Sequence, residues 1–247
     1  MPEGTLTIKF DRVWFHYHGA SEAVFSDLEA TLEVKPIAAV IGRSGVGKTT
    51  LARLLCGELT PESGEILWEC DGRLAQPLHR VYLPQESSLP PWLRLQSLWS
   101  MVAAASGTQA SKRVPARLRK LLDQFASRYP TELSGGQQRR VELALVLASG
   151  STVTVLDEPY SGLDYPEAVA LTRDLEELAQ AGLSRYVIIS HDLHLLSRFR
   201  FPVFGLLGEN QLLCLGDSAS CERQEEAVGS AARLAAFENA MSEQGML

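Results

Sequence analysis

Basic charge, paired cysteines and long apolar runs are what this chain has little of. Among 247 residues, Lys and Arg number 23 against 30 Asp and Glu, a formal net charge of −7. That balance disfavours a sequence-independent grip on nucleic-acid backbone, which needs clustered cations, so no nucleic-acid partner is expected. The four cysteines, Cys56, Cys70, Cys214 and Cys221, show no C-x-x-C or other zinc-type spacing and read as reduced thiols. No apolar run is long enough to span a bilayer, and residues 1–9 lack a basic stretch followed by an apolar core. Any membrane connection is therefore expected to run through a partner. Internal repeats and low-complexity segments are also missing. The length is enough to bury a full core, as one large α/β domain or a core carrying a subdomain.

What the chain does have is concentrated in residues 38–59. Ala38-Ala39-Val40-Ile41 is a short apolar run of strand type that leads into Gly42-Arg43-Ser44-Gly45-Val46-Gly47-Lys48-Thr49-Thr50. Leu51, Leu54 and Leu55 then share one face at helical spacing, with Gly57 near the end. Strand, Gly-rich loop and helix in this order match G-x-x-x-x-G-K-[ST], the phosphate-binding P-loop. Gly42, Ser44, Gly45 and Gly47 let backbone N–H groups curl around phosphate oxygens, and the helix N-terminus adds partial positive charge. Lys48 is placed to reach the terminal phosphates, the Thr49 hydroxyl to ligate Mg²⁺, and Thr50 completes the stretch. The loop reads as a nucleotide site.

The other elements are expected around it. Residues 6–17 alternate as a strand, with Val13, Phe15 and Tyr17 on one face, and residues 28–34 alternate likewise. Further strands are expected over 65–68 and 80–83, the second ending at Pro84-Gln85. Helical periodicity fills 93–105 and 111–127, so residues 86–148 read as a helical insertion within an α/β core. Leu133-Ser134-Gly135-Gly136-Gln137 precedes a helix ending near residue 148, and a strand over 152–156 stops at Asp157-Glu158-Pro159. Asp164 is suited to cap a helix whose first turn holds Pro166. A buried strand over 186–190 is closed by His191-Asp192. Residues 201–207 and 211–215 suggest a hairpin about Gly208-Glu209-Asn210, and 218–247 a helical tail.

Leu133-Ser134-Gly135-Gly136-Gln137 resembles the signature motif of ATP-binding-cassette (ABC) ATPases, and its place after a P-loop and before a strand ending in Asp-Glu strengthens the likeness. Ser134 and two glycines at a helix N-terminus offer a hydroxyl and open N–H groups to an anion. The resemblance covers residues 6–216. It implies an α/β fold, a P-loop NTPase (RecA-like) core over about 1–85 and 149–217, with an N-terminal antiparallel β subdomain and an inserted α-helical subdomain over about 86–148. It also implies that Asp157, at the end of the strand adjoining the P-loop strand, holds Mg²⁺, with Thr49 and Gln85 on the same ion. Glu158 would polarise the attacking water, His191 would contact the γ-phosphate and steady Glu158, Gln85 would sense the ion and the water, and Lys48 would bind phosphate. Tyr17 resembles the aromatic residue that stacks on adenine, although Phe15 shares its strand face.

In that family Ser134, Gly135, Gly136 and Gln137 close over ATP held by another copy, and Ser161-Gly162-Leu163-Asp164 resembles the D-loop that crosses the same interface. ATP and Mg²⁺ are thus the implied cofactors and a head-to-tail dimer the implied state. Stand-alone chains of this kind resemble the subunits of bacterial importers that sit on the cytoplasmic face of the membrane. A permease would dock near residues 85–105, with an extracytoplasmic solute-binding protein in the same system. Leu89-Pro90-Pro91-Trp92-Leu93 resembles a stretch of importer ATPases for nitrate, taurine and aliphatic sulfonates. An exporter or lipid-moving ATPase would share every one of these motifs. Soluble non-transport cassettes are the other alternative, though they generally carry coiled coils, zinc hooks or a second cassette.

Overall fold

The computed structural model describes residues 4–75, 78–196, 199, 201–207, 211–216 and 242. β1 (Leu6–Phe15) and β2 (Phe25–Val34) pair antiparallel, with Leu6 opposite Val34 and Phe15 opposite Phe25. Alternation turns Leu6, Ile8, Phe10, Val13 and Phe15 of β1 inward. All five residues of β3 (Ile37–Ile41) are buried, as a strand covered on both faces requires. α1 (Lys48–Cys56) follows the P-loop and ends at Gly57, whose left-handed backbone lets its N–H reach back to Leu54 O at 3.1 Å. β4 (Ser63–Cys70) returns to lie beside β1, and β5 (Arg73–Leu74) completes a four-stranded antiparallel sheet in the order β2-β1-β4-β5.

The chain then enters the second sheet with β6 (Arg80–Leu83) and leaves it for helices. These are α2 (Leu95–Ser106), a 3-10 segment at Gly107–Arg113, α3 (Ala116–Gln124) and α4 (Gly135–Ala148). β7 (Val153–Asp157), α5 (Tyr165–Gln180), β8 (Arg185–Ile189), α6 (Leu193–Leu196), β9 (Val203–Leu207) and β10 (Gln211–Gly216) follow. The six-stranded sheet has the order β10-β9-β3-β8-β7-β6 and is parallel except for β10.

Apolar side chains on the two faces of that sheet build two cores. Ile37, Ala39, Ile41, Leu156 and Ile188 face the helices that follow β6, whereas Ala38, Val40, Val155, Val187 and Ile189 face α1 and the antiparallel sheet. Anchored on both faces, the strands bring the ends of β3, β6, β7 and β8 to one edge of the sheet. In open parallel sheets that edge is where ligands bind.

Two expectations are corrected. β8 lies between β3 and β7, so the strand ending at Asp157 does not adjoin the P-loop strand. Both flanks of β3 are taken, by β8 and β9, and strands this uniformly apolar carry no mark of which neighbour each will choose. The helix expected over 111–127 is broken at Pro115, which has no N–H to donate and holds Val114 extended at φ −105 and ψ 120. A 3-10 segment and the shorter α3 result. The expected tail over 218–247 and the turn at 208–210 fall outside the described residues, apart from the single position 242. Among the described residues no helix is long and apolar enough to cross a membrane.

Candidate functional site

The P-loop turns into α1 at a left-handed position that favours glycine. Gly47 caps α1 at φ 103, and a Cβ there would stand 2.8 Å from Val24 Cγ1 and 3.2 Å from the Phe25 ring. Just after it, Lys48 turns its ammonium back along the loop, donating to Gly42 O at 2.8 Å and Arg43 O at 2.9 Å. Burial pushes the Lys48 pKa below the ordinary lysine value, while Glu158 and Asp157 act in the opposite sense. The two aromatic residues of the first strand face separate cleanly. Phe15 is buried, whereas Tyr17 is 38% exposed, sets its ring edge-on to Phe15 at 5.1 Å, and shares a 3.1 Å hydrogen bond with Thr50 Oγ1.

Opposite the loop stand the acids. Asp157 is buried at the end of β7, and its Oδ2 accepts from Thr49 Oγ1 at 2.9 Å and from the Tyr82 hydroxyl at 3.0 Å. Burial first, and the Asp157 charge second, push the Tyr82 phenol well above its usual range, so it stays a donor. Glu158 adopts φ 47, a left-handed conformation that costs a non-glycine residue about 1–2 kcal/mol. Its N–H donates to Ile189 O at 2.9 Å, and its Oε1 lies 2.8 Å from His191 Nδ1. His191 itself is largely exposed, at 79% of its side chain.

These groups share one cleft of about 470 Å³, lined by Ser44, Gly45, Gly47, Lys48, Thr49, Thr50, Gln85, Asp157, Glu158 and His191. Gly42 joins it through the Lys48 bond, and Tyr17 through Thr50. Donor chemistry fits Mg²⁺: a carboxylate oxygen and a hydroxyl, both hard, sit 2.9 Å apart at the cleft wall. Among the described residues no three His, Cys, Asp or Glu gather as a metal cage. That suits an ion held by one or two protein oxygens, with phosphates and waters as its other ligands.

Ser134, Gly135, Gly136, Gln137 and Asp164 do not line this cleft. Ser134 and Gln137 form a capping box on α4, Ser134 N donating to Gln137 Oε1 at 3.0 Å and Gln137 N to Ser134 Oγ at 3.4 Å. Gly136 packs on the backbone of Gly162, where a Cβ would stand 2.7 Å from Gly162 O. Asp164 caps α5 by accepting from Glu167 N at 2.9 Å.

Three polar residues around the site escape a reading of the sequence alone. Tyr82 resembles any strand aromatic, and its partner Asp157 is 75 positions away. Arg139 and Glu142 look like ordinary charges of a surface helix, yet their side chains are only 5% and 3% exposed. The one available signal was their neighbourhood, Val141-Glu142-Leu143-Ala144-Leu145, in which apolar residues surround the acid on every side of the helix.

Residues 25–161 match the ABC transporter family. The zinc import ATP-binding protein ZnuC of Psychrobacter cryohalolentis is 30% identical over 214 residues, covering 84% of this chain and 80% of that protein. The Fe(3+) ions import ATP-binding protein FbpC 2 of Pectobacterium atrosepticum is 34% identical over 194 residues, 75% of this chain but 56% of that protein. Among solved structures, the ATP binding subunit of an ABC transporter superposes with a TM-score of 0.72 at 22% identity, covering 94% of this chain and 99% of that one. A bacterial ABC transporter cassette solved as a dimer gives 0.66 at 21% identity, over 81% and 94%. At these identities the structural likeness carries the fold, an ABC ATPase cassette.

Proposed function

This chain belongs to the ABC transporter family, and from that premise we propose that it is the ATP-hydrolysing subunit of a bacterial importer of a small solute. The observation that carries the reading is the single cleft in which the P-loop, Asp157, Glu158, Gln85 and His191 converge. The relatives named as zinc and ferric-ion import ATP-binding proteins speak for import over export. Mg²⁺, when bound beside Thr49 and Asp157, supplies charge neutralisation on the terminal phosphates. To take up those phosphates Lys48 gives up its bonds to Gly42 O and Arg43 O, and its ammonium follows the nucleotide. Glu158 accepts the proton of the attacking water as the water oxygen bonds to the terminal phosphorus and the bond to ADP breaks. His191, within hydrogen-bond reach, fixes the orientation of that carboxylate. Tyr17 offers an exposed ring beside the P-loop on which the base stacks.

Ser134, Gly135, Gly136, Gln137 and Asp164, which lie off the cleft, act on nucleotide held by a second copy in a head-to-tail dimer. Residues 1–85 and 149–217 form the nucleotide-binding core, 86–148 the helical subdomain and 218–247 a tail. A permease docks near residues 85–105, where Trp92 and Met101 are 74% and 62% exposed. The solute is a metal ion if the relatives are the guide, or an oxyanion such as nitrate or a sulfonate if the stretch from Leu89 to Leu93 is.

The test is affinity purification of tagged Glu158→Gln protein from detergent-solubilised membranes of its host. A multi-span permease is expected to co-purify, and a solute-binding protein with it marks import. Recovery without a permease, together with ribosomes or DNA, overturns the transporter reading.

A further inference from the structure

We propose that Arg139 and Glu142 form a buried positioning pair that sets the backbone on which Gln85 and Glu158 stand, so that α4 governs their placement. The inference rests on the ATPase reading above and names residues that reading does not use.

The two side chains lie three positions apart on α4 and so share one face of the helix, with Arg139 Nη1 3.7 Å from Glu142 Oε2. Almost none of their hydrogen bonding is spent on α4 itself. Arg139 donates through Nη1 to Pro84 O, through Nη2 to Asp157 O, and again through Nη2 to Glu158 O at 3.0 Å. Glu142 Oε1 accepts from Ser87 Oγ at 2.8 Å and from Ser88 N at 2.6 Å. Gln85 is therefore bracketed, by Arg139 on the residue before it and by Glu142 on the second and third residues after it. The same guanidinium grips the carbonyl of Glu158, whose left-handed backbone persists only because its surroundings hold it there.

The placement of these bonds decides their meaning. A buried ion pair contributes little net stability, since the loss of solvation offsets the attraction, and apolar residues of similar volume often serve as well. Here the pair reaches from the helix that begins at Ser134 to the two segments carrying Gln85 and Glu158. A guanidinium suits this because its rigid planar fork fixes several carbonyls in one geometry, whereas an ammonium is a point charge on a flexible stem. α4 cannot turn or slide without drawing on both segments. Displacement at the Ser134 end is thus felt in the cleft.

The experiment is ATP turnover and melting temperature for Arg139→Met/Glu142→Leu, Arg139→Lys and wild type, with Glu158→Gln as the control lacking its base. Joint apolar replacement removes the ion pair but strips the carbonyls of Pro84, Asp157 and Glu158 and the Ser88 N–H of their partners, so the melting temperature should fall while the fold persists. The kcat of this double variant should fall at least about tenfold, with KM for ATP within about threefold, the pattern of a group acting on the transition state and not on binding. Arg139→Lys, which keeps the charge and loses the fork, should show the same loss in smaller measure. Should the double variant fail to fold, Arg139→Lys decides alone. Amide exchange at Ser88 should speed up in the double variant, reporting release of the segment without reference to turnover. Wild-type kcat in a folded double variant, or in Arg139→Lys, overturns the inference while leaving the ATPase reading intact. A wild-type chain that hydrolyses no ATP overturns both.

Discussion

Lys48 shows how one side chain can be both committed and available. Its bonds to two loop carbonyls keep the ammonium over the P-loop, and burial lowers its pKa although two carboxylates stand near. The protonated form is the one that binds phosphate, so kcat/KM for ATP should fall on an alkaline limb that begins below the ordinary lysine range. A pH profile checks this, and a flat profile to the usual lysine value of about 10.4 would count against it. Tyr82 makes a second prediction. Its hydroxyl donates to the same Asp157 oxygen as Thr49 does, and a hydrogen bond to a charged group is worth about 1.5–3 kcal/mol. Tyr82→Phe should therefore raise the Mg²⁺ concentration for half-maximal turnover about tenfold, with ATP affinity in EDTA unchanged. The P-loop was legible because its residues are contiguous and their chemistry depends on order. Tyr82 was not, because an aromatic residue in a strand reads as core until its partner is seen.

At the level of elements, α4 and the loop before α5 meet in a tight joint. Gly136 and Gly162 approach so closely that a methyl at Gly136 would meet the Gly162 carbonyl at 2.7 Å, and neither backbone can yield without moving a cap. Gly136→Ala should lower the unfolding free energy by about 1–3 kcal/mol, the usual cost of overpacking, which chemical denaturation measures. Arg140 adds an ion pair to Glu167 across the same joint. Apolar runs located β3, β7 and β8, which are buried on both faces, and helical spacing located α1, which carries its leucines on one. Neither could order the strands, because apolar runs of equal length are interchangeable until crossovers choose neighbours, and so β8 stands where β7 was expected. Pro115 was visible throughout. Its effect was hidden by leucines and Phe125, whose spacing continues past it as though the helix did.

The whole molecule holds two glycine-bearing helix starts, at the P-loop and at Ser134 to Gln137, that do not meet in one cleft within the chain. The cleft gathers the P-loop with Asp157, Glu158 and His191, whereas Ser134 to Gln137 cap α4 elsewhere, with Ser134 N and Oγ already engaged by Gln137. In the proposed head-to-tail dimer, two copies would bring each set to the other. The charge balance of −7 opposes close approach of like chains, so closure should need nucleotide at the interface and weaken as salt is lowered. The most direct measurement is light scattering of Glu158→Gln protein with Mg²⁺ and saturating ATP, beside the same sample in ADP. Doubling of the mass in ATP, with a monomer in ADP, is the result expected of a cassette that closes on its substrate. A monomer that persists with ATP bound at every site would contradict it.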